Sequence, residues 1–305
     1  MLNNQKVKLL YIIFLIVALL KMVNAAEILD RGIYLPLSDT PFGVRATNAA
    51  LDTLMPREMP CLDSKSKRPT LNRYGFETTL SDRFSEDWVK KALFYAELGL
   101  PSVEIGAAYG QTATLPALAA GATIVANDIC PEHLLLLREQ VPVDRRSRLI
   151  LNTEPFPDIS FEAGSVGSFL LRSVMHFLAP PEMERGITNI YRWLVPGGEV
   201  TISIMSPFHY ILKDFLSEYE KRWSTGNLWP GEINDMRTYN PGEADAIPEY
   251  LHVMDGRPLI RILEAVGFKI EKEGFFGFPH SRAKDPEGKA YFGIRAVKPK
   301  SVKTE

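Results

Sequence analysis

Two apolar patterns divide this chain. Short runs that are apolar throughout read as buried strands, and segments whose apolar residues recur every three to four positions read as helices packed by one face. Trp88, Ala92, Tyr95, Ala96 and Leu98 to Leu100 follow the helical period. Ser85 is placed to cap that helix, Glu86 and Asp87 stand in its first turn, and Gly99 closes it. A strand from Val103 ends at Glu104, and a small-residue turn, Gly106-Ala107-Ala108-Tyr109-Gly110, leads into a helical segment. That helix caps at Thr112 or Thr114, which puts Pro116 among its first four residues, where an amide hydrogen has no internal partner. A second strand, Thr123 to Ala126, ends on Asn127-Asp128, and Pro131 opens the next helix with Leu134 to Leu137 as its buried face.

The alternation continues downstream. Leu149-Ile150-Leu151 reads as a third strand ending at Asn152-Thr153, and a fourth within Val166 to Leu178 ends near Arg172-Ser173. Pro180-Pro181 begins a helix whose Met183, Ile187, Ile190, Tyr191 and Leu194 share one face. Val195-Pro196-Gly197-Gly198 turns into the alternating strand Glu199 to Met205. Residues 206–257 interrupt the rhythm with His209, Tyr210, Trp223, Trp229, Tyr239 and His252, an aromatic excursion of the kind that carries function in a compact domain. Pro258 to Phe268 reads as the last helix, stopped by Gly267, and Lys269 to Phe276 with Tyr291 to Val297 as a closing antiparallel pair. The expected class is α/β, with a mostly parallel sheet and an antiparallel last strand.

The first 25 residues stand outside this pattern. Lys6 and Lys8 precede an unbroken apolar run, Leu9 to Leu20, and Val23-Asn24-Ala25 follows with small residues at the spacing of a leader cleavage site. The run is about 12 residues, against the roughly 20 that span a bilayer. The expectation is export through a signal peptide, with a retained membrane anchor through residues 7–23 or a docked apolar segment as alternatives. Residues 26–70, rich in Pro, Ser, Thr and Asp, read as an irregular N-terminal arm, and residues 71–305 as one domain with its insertion at 206–257.

The chemistry concentrates between Glu104 and Asp128. A dinucleotide fingerprint needs glycines at first, third and sixth positions, so that a pyrophosphate meets the helix N-terminus. Here Gly106 and Gly110 are first and fifth, with Ala108 between them and Glu104 just before. A carboxylate beside the turn repels a pyrophosphate and suits a ligand bearing an ammonium and a sulfonium. These residues resemble the first motif of the class I S-adenosylmethionine-dependent methyltransferases, in particular the small-molecule type, an acid followed by G-x-G-x-G. Ala108 in place of the middle glycine is the one departure, and costs only a methyl if the backbone there is not left-handed. The Met175-His176-Phe177-Leu178 segment and the Leu194-Val195-Pro196-Gly197-Gly198 approach to a strand are similar to later parts of the same family. The resemblance spans about residues 70–298 and leaves the arm and the insertion without a template.

What the resemblance implies is a Rossmann-like doubly wound sheet and S-adenosyl-L-methionine as cofactor. Its cofactor-binding residues would be Glu104, Gly106, Ala108, Tyr109, Gly110, Asp128, Ile129, Asn152, Thr153, Arg172 and Ser173. Asp128 would accept from the two ribose hydroxyls, Ile129 would lie on the adenine face, and Asn152 would either bond the adenine edge or form a turn. His176 is either a packed core imidazole or, with His209, a proton acceptor near the substrate; no metal ligand set appears. His133 reads as a surface helix residue. The helix from Ser85 would cover the cofactor, pack the sheet, or do both.

Composition narrows the rest. The 305 residues carry a formal charge of −2, so there is no overall basic footprint for nucleic acid. Two cysteines, Cys61 and Cys130, are too few for a disulfide framework. No Asn-Pro-Pro-Tyr segment is present, which argues against methylation of DNA or glutamine. The expected acceptor is a small or lipid-like molecule. Competing readings are a nicotinamide-linked oxidoreductase, an exported scaffold without catalysis whose pocket Tyr109 or Arg172 would fill, and a methyltransferase acting on protein or nucleic acid.

Overall fold

The computed structural model describes residues 42, 47, 51–55, 57–243, 248–278, 285 and 287–300. The expected leader or anchor, most of the arm and any membrane contact through residues 7–23 lie outside them. Among the described residues no helix is long and apolar enough to cross a membrane.

A hairpin, β1 (Lys67–Pro69) and β2 (Phe76–Thr78), comes first, and helix α1 (Arg83–Glu97) follows. Then alternate β3 (Ser102–Ile105), α2 (Thr114–Ala120), β4 (Ile124–Asn127), α3 (Pro131–Gln140), β5 (Leu149–Asn152), β6 (Val166–Arg172), α4 (Pro180–Trp193) and β7 (Leu194–Met205). The chain continues through α5 (Leu216–Ser224), a short pair β8 (Glu232–Ile233) and β9 (Leu251–His252), α6 (Gly256–Val266), β10 (Lys269–Phe276) and β11 (Tyr291–Val297). Seven strands form one sheet in the order β10-β11-β7-β6-β3-β4-β5, parallel from β7 to β5 and antiparallel at β11 and β10. This is the Rossmann-like α/β architecture.

Strands β3, β4 and β5 are buried at every position because helices cover both faces. One face packs Phe169, Leu171, Ile187, Trp193, Ile202 and Leu259 among others, and the opposite face packs Trp88, Ala117, Ile124, Leu134 and Leu170. The edge strand β10 instead alternates exposed Lys269, Glu271 and Glu273 with partly buried neighbours, which discourages further strand pairing. Strand order reverses between β3 and β6, where Ile105 pairs with Leu171, so Gly106 and Arg172 emerge side by side at a topological switch point.

Three local readings change, and the insertion gains a description. The cap of α1 is Asp82 rather than Ser85; its carboxylate accepts from the amides of Phe84 and Ser85 at 2.9 and 3.0 Å and from the Ser85 hydroxyl. The arm is regular at its end, because Lys67–Pro69 pairs with Phe76–Thr78. Pro196-Gly197-Gly198 is a bulge inside β7, where pairing with β6 skips from Leu194 to Glu199 while Gly197 and Gly198 exchange hydrogen bonds with Lys298. The insertion has a core of its own, built from Leu212, Phe215, Tyr219, Ile233, Met236 and Leu251.

Candidate active site

The bend after β3 is left-handed at three positions, Gly106 (φ 71°), Ala108 (φ 46°) and Gly110 (φ 75°). Gly106 also leaves no room for a side chain, since a Cβ there would fall 2.3 Å from Val174 Cγ2. The condition under which Ala108 costs only a methyl is therefore not met. An L-residue in this region is disfavoured by roughly 1–2 kcal/mol. Its amide explains why the conformation persists, for it donates to Asp128 Oδ2 at 2.8 Å. Ala108→Gly keeps that bond and removes the strain, at some cost in unfolded-chain entropy. Urea unfolding should show a net gain of about 0.5–1 kcal/mol.

Asp128 holds the end of β4 to this bend. Oδ1 accepts from the Cys130 amide at 2.9 Å and lies 3.1 Å from His133 Nδ1. His133 is buried rather than on the surface, because helical side chains lean toward the N-terminus and its ring reaches back to the acid. Its other nitrogen, Nε2, accepts from the Leu71 amide at 2.9 Å in the link between the hairpin strands. Burial opposes a charge on this ring, and the contacts to Asp128 and Cys130 raise its proton affinity toward a pKa of about 9. The Leu71 amide decides the matter: an N–H aimed at Nε2 requires a lone pair there, so the ring is neutral with its hydrogen on Nδ1. Three donors thus occupy three of the roughly four acceptor positions on the Asp128 carboxylate. One position is open to a further donor, where the sequence reading expected two hydroxyls.

Glu104 is buried at the end of β3, and its Oε2 accepts from the Thr114 amide at 3.0 Å and from the Thr114 hydroxyl at the start of α2. Burial pushes its pKa up to about 7, with the Thr114 bonds and the Arg172 charge opposing that rise.

A cavity of about 380 Å³ opens along this edge. Glu104, Gly106, Ala108, Asp128 and Ile129 line one end, Arg172 and Ser173 the middle, and His176, His209, Tyr210 and Tyr291 the other end. Tyr109, Gly110, Asn152 and Thr153 are not among its lining residues. The Tyr109 ring is buried under the hairpin, where its hydroxyl donates to Pro69 O at 3.1 Å, and Gly110 packs against Leu137 and Thr114. Asn152 is buried between strands, its Oδ1 accepting from Asn127 Nδ2 at 2.8 Å and from the Glu154 amide at 2.9 Å. Pro155 and Phe156 take that stretch of wall. Arg172 is held aside, Nε to Asp82 Oδ2 at 3.1 Å and Nη2 to Leu80 O at 3.2 Å, so neither it nor Tyr109 fills the space.

At the far end His176 is buried, with Nδ1 making no hydrogen bond. Burial, with a smaller contribution from neighbouring His209, drives its pKa down to about 3. Such a ring is a neutral hydrogen-bonding group at physiological pH and a weak base. His209 accepts from the Ile211 amide at Nδ1, stacks on Tyr210 with centroids 4.6 Å apart, and meets the edge of Tyr291. The sequence reading missed the hairpin wall, namely Lys67, Thr70, Asn72, Tyr74 and Phe76 to Thr78. Its distance along the chain from the bend and the Pro- and Ser-rich composition before it hid it; the strand-like Phe76-Glu77-Thr78 was the one local signal. Tyr74, Phe76 and Ile129 are 42, 50 and 50 % exposed at the cavity, giving it an apolar rim.

Residues 103–202 match a family described as "Methyltransferase domain". No curated protein matches the chain. A solved structure of an S-adenosylmethionine-dependent methyltransferase from Methanosarcina mazei is 17% identical, covers 66% of this chain and 93% of its own, and superposes with a TM-score of 0.50. One from Mesorhizobium loti is 15% identical and covers 68% of this chain and 99% of its own, with a TM-score of 0.49. The first of these likenesses shows the shared fold.

Proposed function

We propose that this chain, whose residues 103–202 match a methyltransferase domain and whose fold is that of an S-adenosylmethionine-dependent methyltransferase, transfers a methyl group from S-adenosylmethionine to a small or lipid-like acceptor held between the hairpin and the insertion. The observation that carries this reading is the single cavity running from Asp128 and Ile129 to His176 and His209. Its residues fit the cofactor. Ile129 is half exposed beside Asp128 and offers a flat apolar face to a base, while Asp128 keeps one acceptor position for a ribose hydroxyl. Buried carboxyl groups at Glu104 and Glu77, the latter with an oxygen that accepts no hydrogen bond, suit the positive charges of the ligand. When bound, the cofactor supplies a methyl group on a sulfonium that leaves as a neutral thioether, so the protein need provide no nucleophile.

The work left to the chain is positioning and exclusion of water. The hairpin and the His209-Tyr210 turn close two sides of the far end. His176 lines that end with Nδ1 buried and unbonded, and its low proton affinity suits it to orient an acceptor rather than to remove a strongly held proton. A cavity of this size with an apolar rim favours a compact amphipathic acceptor over a polymer strand. Tyr109, Gly110, Asn152 and Thr153 are better read as supports of the wall than as contacts.

The test is calorimetry of the full chain with S-adenosylmethionine, S-adenosylhomocysteine and NAD, followed by mass spectrometry of what co-purifies. One-to-one binding of the two sulfur nucleosides and none of NAD is the expected result. Tight binding of NAD, or of none of the three, would remove the proposal.

A further inference from the structure

The hairpin brings to the cavity a buried acid that the reading so far uses only for its charge. Glu77 lies on β2 with its side chain 5% exposed. Oε1 accepts from the Gln111 amide at 3.2 Å, just past the bend. Oε2 is 3.4 Å from Arg68 Nε as an ion pair and accepts no hydrogen bond, and Arg68 Nε donates none. A buried carboxylate oxygen left in this state is costly, which marks it as a place where a donor is missing. The charged and titratable groups that face Glu77 are Arg68 from β1, Tyr109 from the bend, Glu104 from β3 and Arg172 from β6.

Resting on the cofactor assignment above, we propose that Glu77 receives the ammonium of the cofactor's amino acid end, with Glu104 beside it and Arg172 facing the carboxylate. An α-amino acid carries both charges on one carbon, and recognising it takes an acid and a guanidinium on converging walls. Glu77 and Arg172 are such a pair: both line the cavity, and they come from separate elements. Arg172 spends Nε and Nη2 on Asp82 and Leu80, and Nη1 has no hydrogen bond among the described residues. Glu77 differs from Glu104 in coming from outside the sheet, so it reaches the ligand only while the hairpin is docked on the bend through Tyr109, Gln111 and His133.

Protonation follows from this arrangement. Burial raises Glu77 to about 7, as it does Glu104, so each is partly protonated in the free protein at neutral pH. A cation placed against them favours the ionised form, and binding releases protons. The ligand's ammonium remains protonated at neutral pH, so affinity should rise with pH across the range in which Glu77 and Glu104 ionise.

The experiment is calorimetry of the full chain and its Glu77→Gln variant with S-adenosylhomocysteine and with methylthioadenosine, which has the same nucleoside and thioether without the amino acid end. Each titration is run at pH 7 in two buffers of different ionisation enthalpy. Glu77→Gln should weaken S-adenosylhomocysteine about 10- to 100-fold. It should also reduce the protons released, and leave methylthioadenosine within about twofold, the scatter of an uninvolved site. Equal weakening of both ligands would show that Glu77 acts only by holding the hairpin, and no weakening of either would show that it does not meet the tail; each overturns the proposal. Should Glu77→Gln fail to fold, Arg68→Met in the same titrations must increase proton release with S-adenosylhomocysteine, because Glu77 loses its opposing charge; an unchanged release overturns the proposal too. If the unmodified chain binds neither nucleoside, it is the cofactor assignment that fails.

Discussion

Asp128→Ala should cost about two orders of magnitude or more in S-adenosylmethionine affinity, the largest single loss expected in this molecule. Part of that loss is direct, because a hydrogen bond to a charged acceptor contributes about 1.5–3 kcal/mol. The rest comes from what the carboxylate organises. Without it the amides of Ala108 and Cys130 and the Nδ1 hydrogen of His133 lose their acceptor. Ala108 would then have no compensation for its left-handed backbone, and the bend should relax away from the ligand. Asp128→Asn keeps one oxygen but turns an N–H toward donors already present, so an intermediate loss is expected. Calorimetry of the three proteins, with thermal unfolding alongside, checks this. A variant that binds like the parent would mean that the acid does not face the nucleoside.

The second large effect is on the pH dependence of stability. A buried acid whose pKa rises on folding keeps its proton after the unfolded chain has lost its own. The folded state therefore loses ground as pH rises from the ordinary carboxyl range to the raised value. For Glu104 and Glu77 that window runs from 4.5 to about 7. Each contributes at most about 3 kcal/mol of destabilisation above it. His176 and His252 act on the other side, with folded values of about 3 and 4 against 6.5, so their contribution is lost as pH falls below 6.5. Between 4.5 and 6.5 the two pairs oppose one another, and the part of the profile they control should be flat. Glu104→Gln should separate them: relative to the parent it gains stability as pH is raised from 5 to 8, by up to about 3 kcal/mol. Urea unfolding at the two pH values measures the difference, and a constant offset would show that Glu104 is not held protonated.

The sheet was legible because its signals are local. Unbroken apolar runs at Val103, Ile124, Leu149 and Val166 can be buried on both faces only in a parallel sheet, and each became a strand within a residue or two. Gly267 stops its helix in a left-handed cap, as its position indicated. The residues that misled were those whose roles depend on distant partners. Asp82 outranks Ser85 as a cap because its carboxylate also holds Arg172, 90 residues away. Tyr109 sits in the right bend yet turns under a hairpin that a Pro- and Ser-rich composition had concealed. Asn152 ends its strand on the cavity side of the sheet but is consumed by Asn127. His133 was misplaced because an isolated histidine on a helix gives no sign of facing an acid five residues earlier.

One imidazole joins two duties that could have been kept apart. Through His133 the acid proposed to hold the sugar and the hairpin proposed to wall the acceptor are fastened to the same ring. Exchanging the loop at 70–75 to admit a different acceptor should therefore disturb the grip on the methyl donor as well, unless the amide that meets Nε2 is preserved. Anyone redesigning this molecule's selectivity would do better to alter Tyr74 and Phe76, whose exposed rings border the opening, and to leave the backbone at Leu71 in place.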